Sequence, residues 1–140
     1  MITYTNDITA EEFLSLRASV GWVDLPLEEA EVCVENAYLI IGVRDDDKAI
    51  GLARMMWDGG YMAFLSDVIV DENYRGLGIG RKLVEMCIEK LKADLKPGFK
   101  VKMTLNSARG KEAFYEKFGF ELRPNDHAGN ALDQWITAED

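Results

Sequence analysis

Apolar and polar positions follow two periods along this chain, and each change of period marks an element. Ile2-Thr3-Tyr4-Thr5 reads as a short first strand. From Thr9 the repeat lengthens: Phe13, Leu16 and Val20 share one helical face, and Thr9 and Glu12 stand at capping-box spacing. Gly21-Trp22-Val23-Asp24 interrupts the pattern, and Pro26 opens a second short helix, about Leu27 to Asn36. Tyr38 to Arg44, Ala49 to Trp57 and Tyr61 to Val70 read as three strands, joined by Asp45-Asp46-Asp47 and by the tight turn Asp58-Gly59-Gly60. Connections this short imply an antiparallel meander.

Beyond Val70 the polar residues Asp71-Glu72-Asn73 turn the chain, and a helical period begins at Ile79. Ile79, Leu83, Val84, Cys87, Leu91 and Leu95 fall on one face, which covers the sheet, before Pro97-Gly98 ends the helix. Phe99 to Asn106 is a fifth strand; a long helical connection makes it parallel to the fourth, with a right-handed crossover. Arg109 to Phe118 forms a short helix stopped at Gly119. Phe120-Glu121-Leu122 and Ala131 to Ile136 read as two last strands around the polar loop Pro124 to Asn130. No repeat or linker divides the 140 residues, so a single domain over 1–140 is expected.

The junction of strand and helix carries the first candidate chemistry. Arg75-Gly76-Leu77-Gly78-Ile79-Gly80 brings successive backbone N–H groups and a helix N-terminus into one small space. Such a space suits a phosphate, because the first helical N–H groups lack internal partners and the helix dipole favours negative charge. Two other phosphate motifs do not fit. Gly80 is followed by Arg81-Lys82-Leu83 rather than the Lys-Ser/Thr of a P-loop, and no glycine stands at 81 or 83 to complete a dinucleotide fingerprint.

Composition narrows the function classes. A net charge of −9 argues against a general nucleic-acid binder, which needs a basic face. It is compatible with a cationic acceptor such as an amine, and equally with an acidic surface that serves solubility. The few basic residues cluster at Arg75, Arg81 and Lys82, beside the glycine turn. The N-terminus has no basic-then-apolar signal region and no apolar run approaches membrane-spanning length, so a cytoplasmic protein is expected. Cys33 and Cys87 are then expected as thiols, with Cys87 packed in the core. His127 is the sole histidine and has no cysteine nearby, so no metal site is expected.

A second motif lies downstream, in Ala113-Phe114-Tyr115-Glu116-Lys117-Phe118-Gly119-Phe120. Together with Arg75, Gly78 and Gly80, it resembles the GNAT N-acetyltransferases. Their acetyl-CoA pyrophosphate loop reads Arg/Gln-x-x-Gly-x-Gly/Ala, and their later segment reads AxxFYEKxGF. The element order β-α-α-β-β-β-α-β-α-β-β is also that family's order, so the resemblance spans nearly the whole chain. It implies an α/β (α+β) GNAT fold: a mixed sheet of about seven strands flanked by about four helices, splayed between the fourth and fifth strands.

The resemblance implies acetyl transfer from acetyl-CoA to a primary amine, by direct attack in a ternary complex, with a small-molecule acceptor. A protein or peptide amine acceptor, or a non-catalytic acyl-CoA-binding module, is the alternative. The pantetheine arm of the cosubstrate would run along Val68, Ile69 and Val70. Its pyrophosphate would lie on Arg75, Gly76, Leu77, Gly78, Ile79, Gly80 and Arg81, and Asn106, Lys111 and Tyr115 complete the cofactor-binding set. Tyr115 would protonate the leaving thiolate, since a tyrosine with a pKa of ~10 keeps its proton at neutral pH. Asp67 is the nearest carboxylate for the acceptor's proton, and Trp22 and Ser66 are candidates for the substrate pocket. Three residues depart from family patterns. Glucosamine-phosphate acetyltransferases carry Glu-Asp at the Ser66-Asp67 position and an aspartate at Asn106, and many members carry a CoA-contacting asparagine at Ala108. The resemblance also allows a homodimer.

Overall fold

The computed structural model describes residues 1–138. Its backbone falls into two compact units, one spanning Met1–Asn106 and the other beginning at Ser107. In the first, strands β1 (Ile2–Thr5), β2 (Leu39–Asp45), β3 (Lys48–Trp57), β4 (Met62–Val70) and β5 (Lys102–Leu105) form one sheet in chain order. Neighbours are antiparallel as far as β4, and β5 runs parallel to β4. The helix α3 (Ile79–Asp94) makes that crossover, as the length of the connection requires.

Helices α1 (Ala10–Ser19) and α2 (Leu27–Glu35) cover one face of the sheet. Phe13, Leu16 and Ala30 meet Ile8, Leu52 and Ile69 there in a closed apolar cluster. Gly42 makes the close approach possible: a Cβ on it would lie 2.2 Å from the Cγ1 of Ile8. The expected capping box is present, with Thr9 Oγ1 accepting from the Glu12 N–H and the Glu12 carboxylate accepting from the Thr9 N–H. Arg44 on β2 then clamps Glu12 at 2.6 Å and Asp7 at 3.2 Å, tying the start of α1 to the sheet.

Helix α3 lies on the opposite face. Its Lys82 ammonium sits 4.6 Å above the ring of Tyr4, which pairs with Val43. The face expected from the helical period is the face buried: Ile79, Leu83, Val84, Cys87 and Leu91. Burial pushes the Cys87 thiol up to about 12, so it is an inert core residue. Neither cysteine is bridged.

In the second unit, α4 (Glu112–Glu116) is bracketed by Gly110 and Gly119, whose φ angles of 86° and 95° end it on both sides. Phe114, Tyr115, Phe118 and Phe120 pack edge to face around it. The sheet has five strands rather than about seven, because neither Phe120–Leu122 nor Ala131–Ile136 forms a strand. The physical reason is legible. Phe120-Glu121-Leu122 runs at once into Arg123-Pro124, where an N–H is missing. Leu132 and Ile136 would share one face of a strand with Trp135 on the other, but all three side chains are exposed, so no sheet edge receives them. The fifth strand is also shorter than the expected Phe99 to Asn106. A turn closed by the Phe99 N–H on Lys96 O, with Gly98 at φ 85°, takes up its first residues.

Candidate active site

Strand β4 carries two kinds of backbone edge. Along β3 it is paired from Ala63 to Val70, whereas β5 pairs only with Met62 to Leu65. Ser66 to Val70 therefore has no second strand beside it among the described residues where the sheet parts, and the backbone groups there that face away from β3 need partners from elsewhere, Val70 O accepting from Arg75 Nε at 3.4 Å. This is the splay expected between the fourth and fifth strands.

The chain leaves Val70 through a single 3-10 turn, Glu72–Tyr74, held by Asp71 capping Asn73 N–H at 2.8 Å. Gly76 and Gly78 follow at φ 83° and 79°, a left-handed conformation that a side chain disfavours. Space is not the constraint, since a Cβ at either position would meet nothing within 4 Å. The result is a run of amides. Arg75 N–H is taken by Glu72 O and Lys82 N–H by Gly78 O, but the six N–H groups from Gly76 to Arg81 have no acceptor among the described residues. The first turn of α3 holds no acidic residue, and Arg75, Arg81 and Lys82 are exposed around it. Six unpaired amides and a helix N-terminus, with Arg75 and Lys82 beside them and Arg81 held by Glu85 at 2.9 Å, fit a pyrophosphate.

Asp67 is placed differently from what a general base requires. It is 4% exposed, and both carboxylate oxygens are engaged. Arg54 Nε donates to Oδ2 at 2.6 Å, the Ser66 hydroxyl donates to the same oxygen at 3.0 Å, and Arg17 Nη1 stands 3.5 Å from Oδ1. The assignment of Asp67 as base is corrected on this ground: it is the centre of an ion triad joining α1, β3 and β4. Arg17 also donates to Val23 O at 2.7 Å, and Arg54 to Cys33 O at 3.4 Å. Both guanidinium groups lie over the Phe13 ring, at 5.6 and 5.4 Å, and Arg17 lies 5.5 Å over Trp22.

Trp22, Ser66 and Asp67, singled out separately in the sequence, thus meet in one cluster. Its two arginines were missed, although a signal existed. Arg17 follows Phe13 by four residues, on the buried face of α1, and Arg54 stands inside an otherwise apolar strand. A charge at a core position requires a partner.

In the second unit, Tyr115 is half-buried on α4, against Phe114 and Phe120. Desolvation raises its pKa above the ordinary tyrosine value, so the hydroxyl is protonated at neutral pH. Its oxygen has no hydrogen-bond partner among the described residues. Lys111 caps the start of the same helix and is exposed, and Asn106 directly follows β5.

A mixed sheet that parts beside a glycine-rich helix start defines the class of this α/β protein. The chain belongs to the GNAT acetyltransferases: the family model of the Acetyltransferase (GNAT) domain matches residues 28–122. An uncharacterized N-acetyltransferase ycf52 from Pyropia yezoensis is 30% identical over 129 residues, covering 89% of this chain and 71% of that protein. Histone acetyltransferase TAP1 of Glycine max is 28% identical, covering 84% of this chain and 54% of its own length. Among solved structures, a Staphylococcus aureus protein named as a "Probable Acetyltransferase" superposes with a TM-score of 0.85 at 26% identity, covering 96% of this chain and all of that one.

Proposed function

We propose that this protein moves an acetyl group from acetyl-CoA to the nitrogen of a primary amine, by direct attack within a ternary complex. The observation that carries the reading is the continuity of two features: the free edge of β4 from Ser66 to Val70, and the unpaired amides from Gly76 to Arg81. Acetyl-CoA, when bound, supplies the acetyl group as a thioester. Backbone groups of Val68, Ile69 and Val70 hold the pantetheine arm as a strand would, and one N–H polarises the thioester carbonyl. Arg75 and the amides through Arg81 hold the pyrophosphate, with Asn106 and Lys111 as further cofactor contacts. The amine lone pair forms the new C–N bond as the C–S bond breaks, and Tyr115 gives its proton to the departing thiolate. The acceptor nitrogen loses its extra proton to solvent, because Asp67 is committed to the triad. Two unbridged thiols suit a reducing compartment such as the cytoplasm.

A protein acceptor is the second reading, favoured by the similarity to a protein named as a histone acetyltransferase. Thiol release from acetyl-CoA across a panel of small amines and lysine peptides, with products weighed by mass spectrometry, tests both. Acetylated amine is expected. Acetyl-CoA binding without acetylation of any acceptor would instead mark a non-catalytic acyl-CoA module.

A further inference from the structure

The cluster around Asp67 holds more positive charge than it neutralises. Arg17 and Arg54 face one carboxylate, so two cations and one anion leave a net single positive charge among Phe13, Trp22 and Met56. The other acid on the buried side of α1, Glu12, is already held by Arg44. Arg17 is 9% exposed, and its Nε–H is wholly enclosed with no partner among the described residues. That enclosed Nε is out of a ligand's reach, so the excess charge is presented outward through the half-buried guanidinium of Arg54, with Arg17 behind it. Arg54, Met56, Ser66 and Trp22 are only half-buried, which lets the cluster reach the surface on their side. Asp67 also stands on the free stretch of β4, next to Val68. The geometry points to an anion subsite formed by Arg17 and Arg54, which receives the carboxylate of an acceptor whose amine is acetylated beside it. This rests on the acetyltransferase reading and names its substrate class: amino carboxylates rather than plain alkylamines.

The charge count selects among anions. A carboxylate carries one negative charge and balances the cluster, whereas a phosphate near pH 7 carries closer to two and would leave it negative. Planar, two-oxygen carboxylates also match the guanidinium fork. The local charge is opposite in sign to the net −9 of the chain, so whole-protein charge is a poor guide to this acceptor.

The test compares matched pairs on the wild-type protein. Glycine, 4-aminobutyrate, 6-aminohexanoate and L-lysine are assayed as acceptors against their decarboxylated counterparts methylamine, propylamine, pentylamine and cadaverine, with 2-aminoethylphosphonate as the phosphonate arm. At least one amino carboxylate is expected to exceed its counterpart at least tenfold in kcat/KM. Equilibrium binding is measured separately, with N-acetylglycine and N-acetyl-4-aminobutyrate against N-methylacetamide and N-propylacetamide. The carboxylates are expected to bind at least tenfold tighter, and Arg54→Gln is expected to remove the ratio. Arg17→Lys serves as a second variant that retains the charge but not the fork. Ratios near one, tighter binding of the neutral amides, no binding of either, or preference for the phosphonate would each overturn the subsite. The two readings fail separately. If no acceptor is acetylated, the binding ratio still decides the subsite; if plain alkylamines are acetylated equally well, the enzyme stands and the subsite falls.

Discussion

The side chain with most at stake is Tyr115. Its hydroxyl is desolvated, its pKa is raised, and no neighbour among the described residues holds its proton. Tyr115→Phe keeps the ring contacts with Phe114 and Phe120 and removes only the donor. A positioned general acid contributes about 10²–10⁴-fold, so kcat is expected to fall into that range while the acetyl-CoA Kd is unchanged. Wild-type kcat in this variant, with transfer shown to be rate-limiting, would make Tyr115 structural. Asp67 has the opposite signature. Removing its charge leaves Arg17 and Arg54 facing each other without their counter-ion, and breaking a buried pair in this way costs about 3–5 kcal/mol. Asp67→Asn should therefore shift the urea midpoint strongly at constant m. A normal midpoint with kcat alone reduced would restore Asp67 as a base. Residue types at the loop and at Tyr115 were legible because they form local motifs. The triad was not, because Arg17, Arg54 and Asp67 lie far apart in sequence and meet only through cross-strand register and the seating of α1.

Among the elements, α1 and the glycine turn make separate predictions. Hydrogen bonds from Arg44 are the main reason that Glu12 falls from 4.5 to about 2, against the opposing effect of its burial. A depressed carboxylate stabilises the fold above its unfolded value, and that contribution is lost as pH falls through the folded one. Stability should thus drop between pH 4.5 and about 2, by at most about 3 kcal/mol from this group. Glu12→Gln should be less stable at pH 7 and should flatten that acid limb, which equilibrium unfolding against pH will show. Gly78 caps α3 in the left-handed region, where a β-branched residue is strained by about 1–2 kcal/mol. Gly78→Val should remain folded, because nothing lies within 4 Å of the new Cβ, yet lose acetyl-CoA affinity as the amides turn away. Unchanged affinity would remove the cradle from the account. Helix and hairpin elements were legible from period, caps and turns because those signals are local, although α4 (Glu112–Glu116) is shorter than the expected Arg109 to Phe118. The last two strands were over-read, since short apolar runs such as Phe120-Glu121-Leu122 take strand form only where an edge receives them.

At the scale of the whole molecule, the order of elements from Ile2 to Leu105 and the parallel run of β5 followed from pattern and connection lengths, whereas the parting of β4 from β5 was implied only by the family resemblance. What periodicity could not supply was which charged groups the α1 face buries, because binary pattern treats Arg17 as a solvent residue. The central claim is that the free edge of β4 and the amides from Gly76 to Arg81 form one acetyl-CoA site. Unfolding of the wild-type protein by urea, with and without acetyl-CoA at 100 times its Kd, tests it most directly. Ligand that binds only the native state should add about 2.7 kcal/mol. A wild-type curve that does not move under saturating acetyl-CoA would contradict the claim.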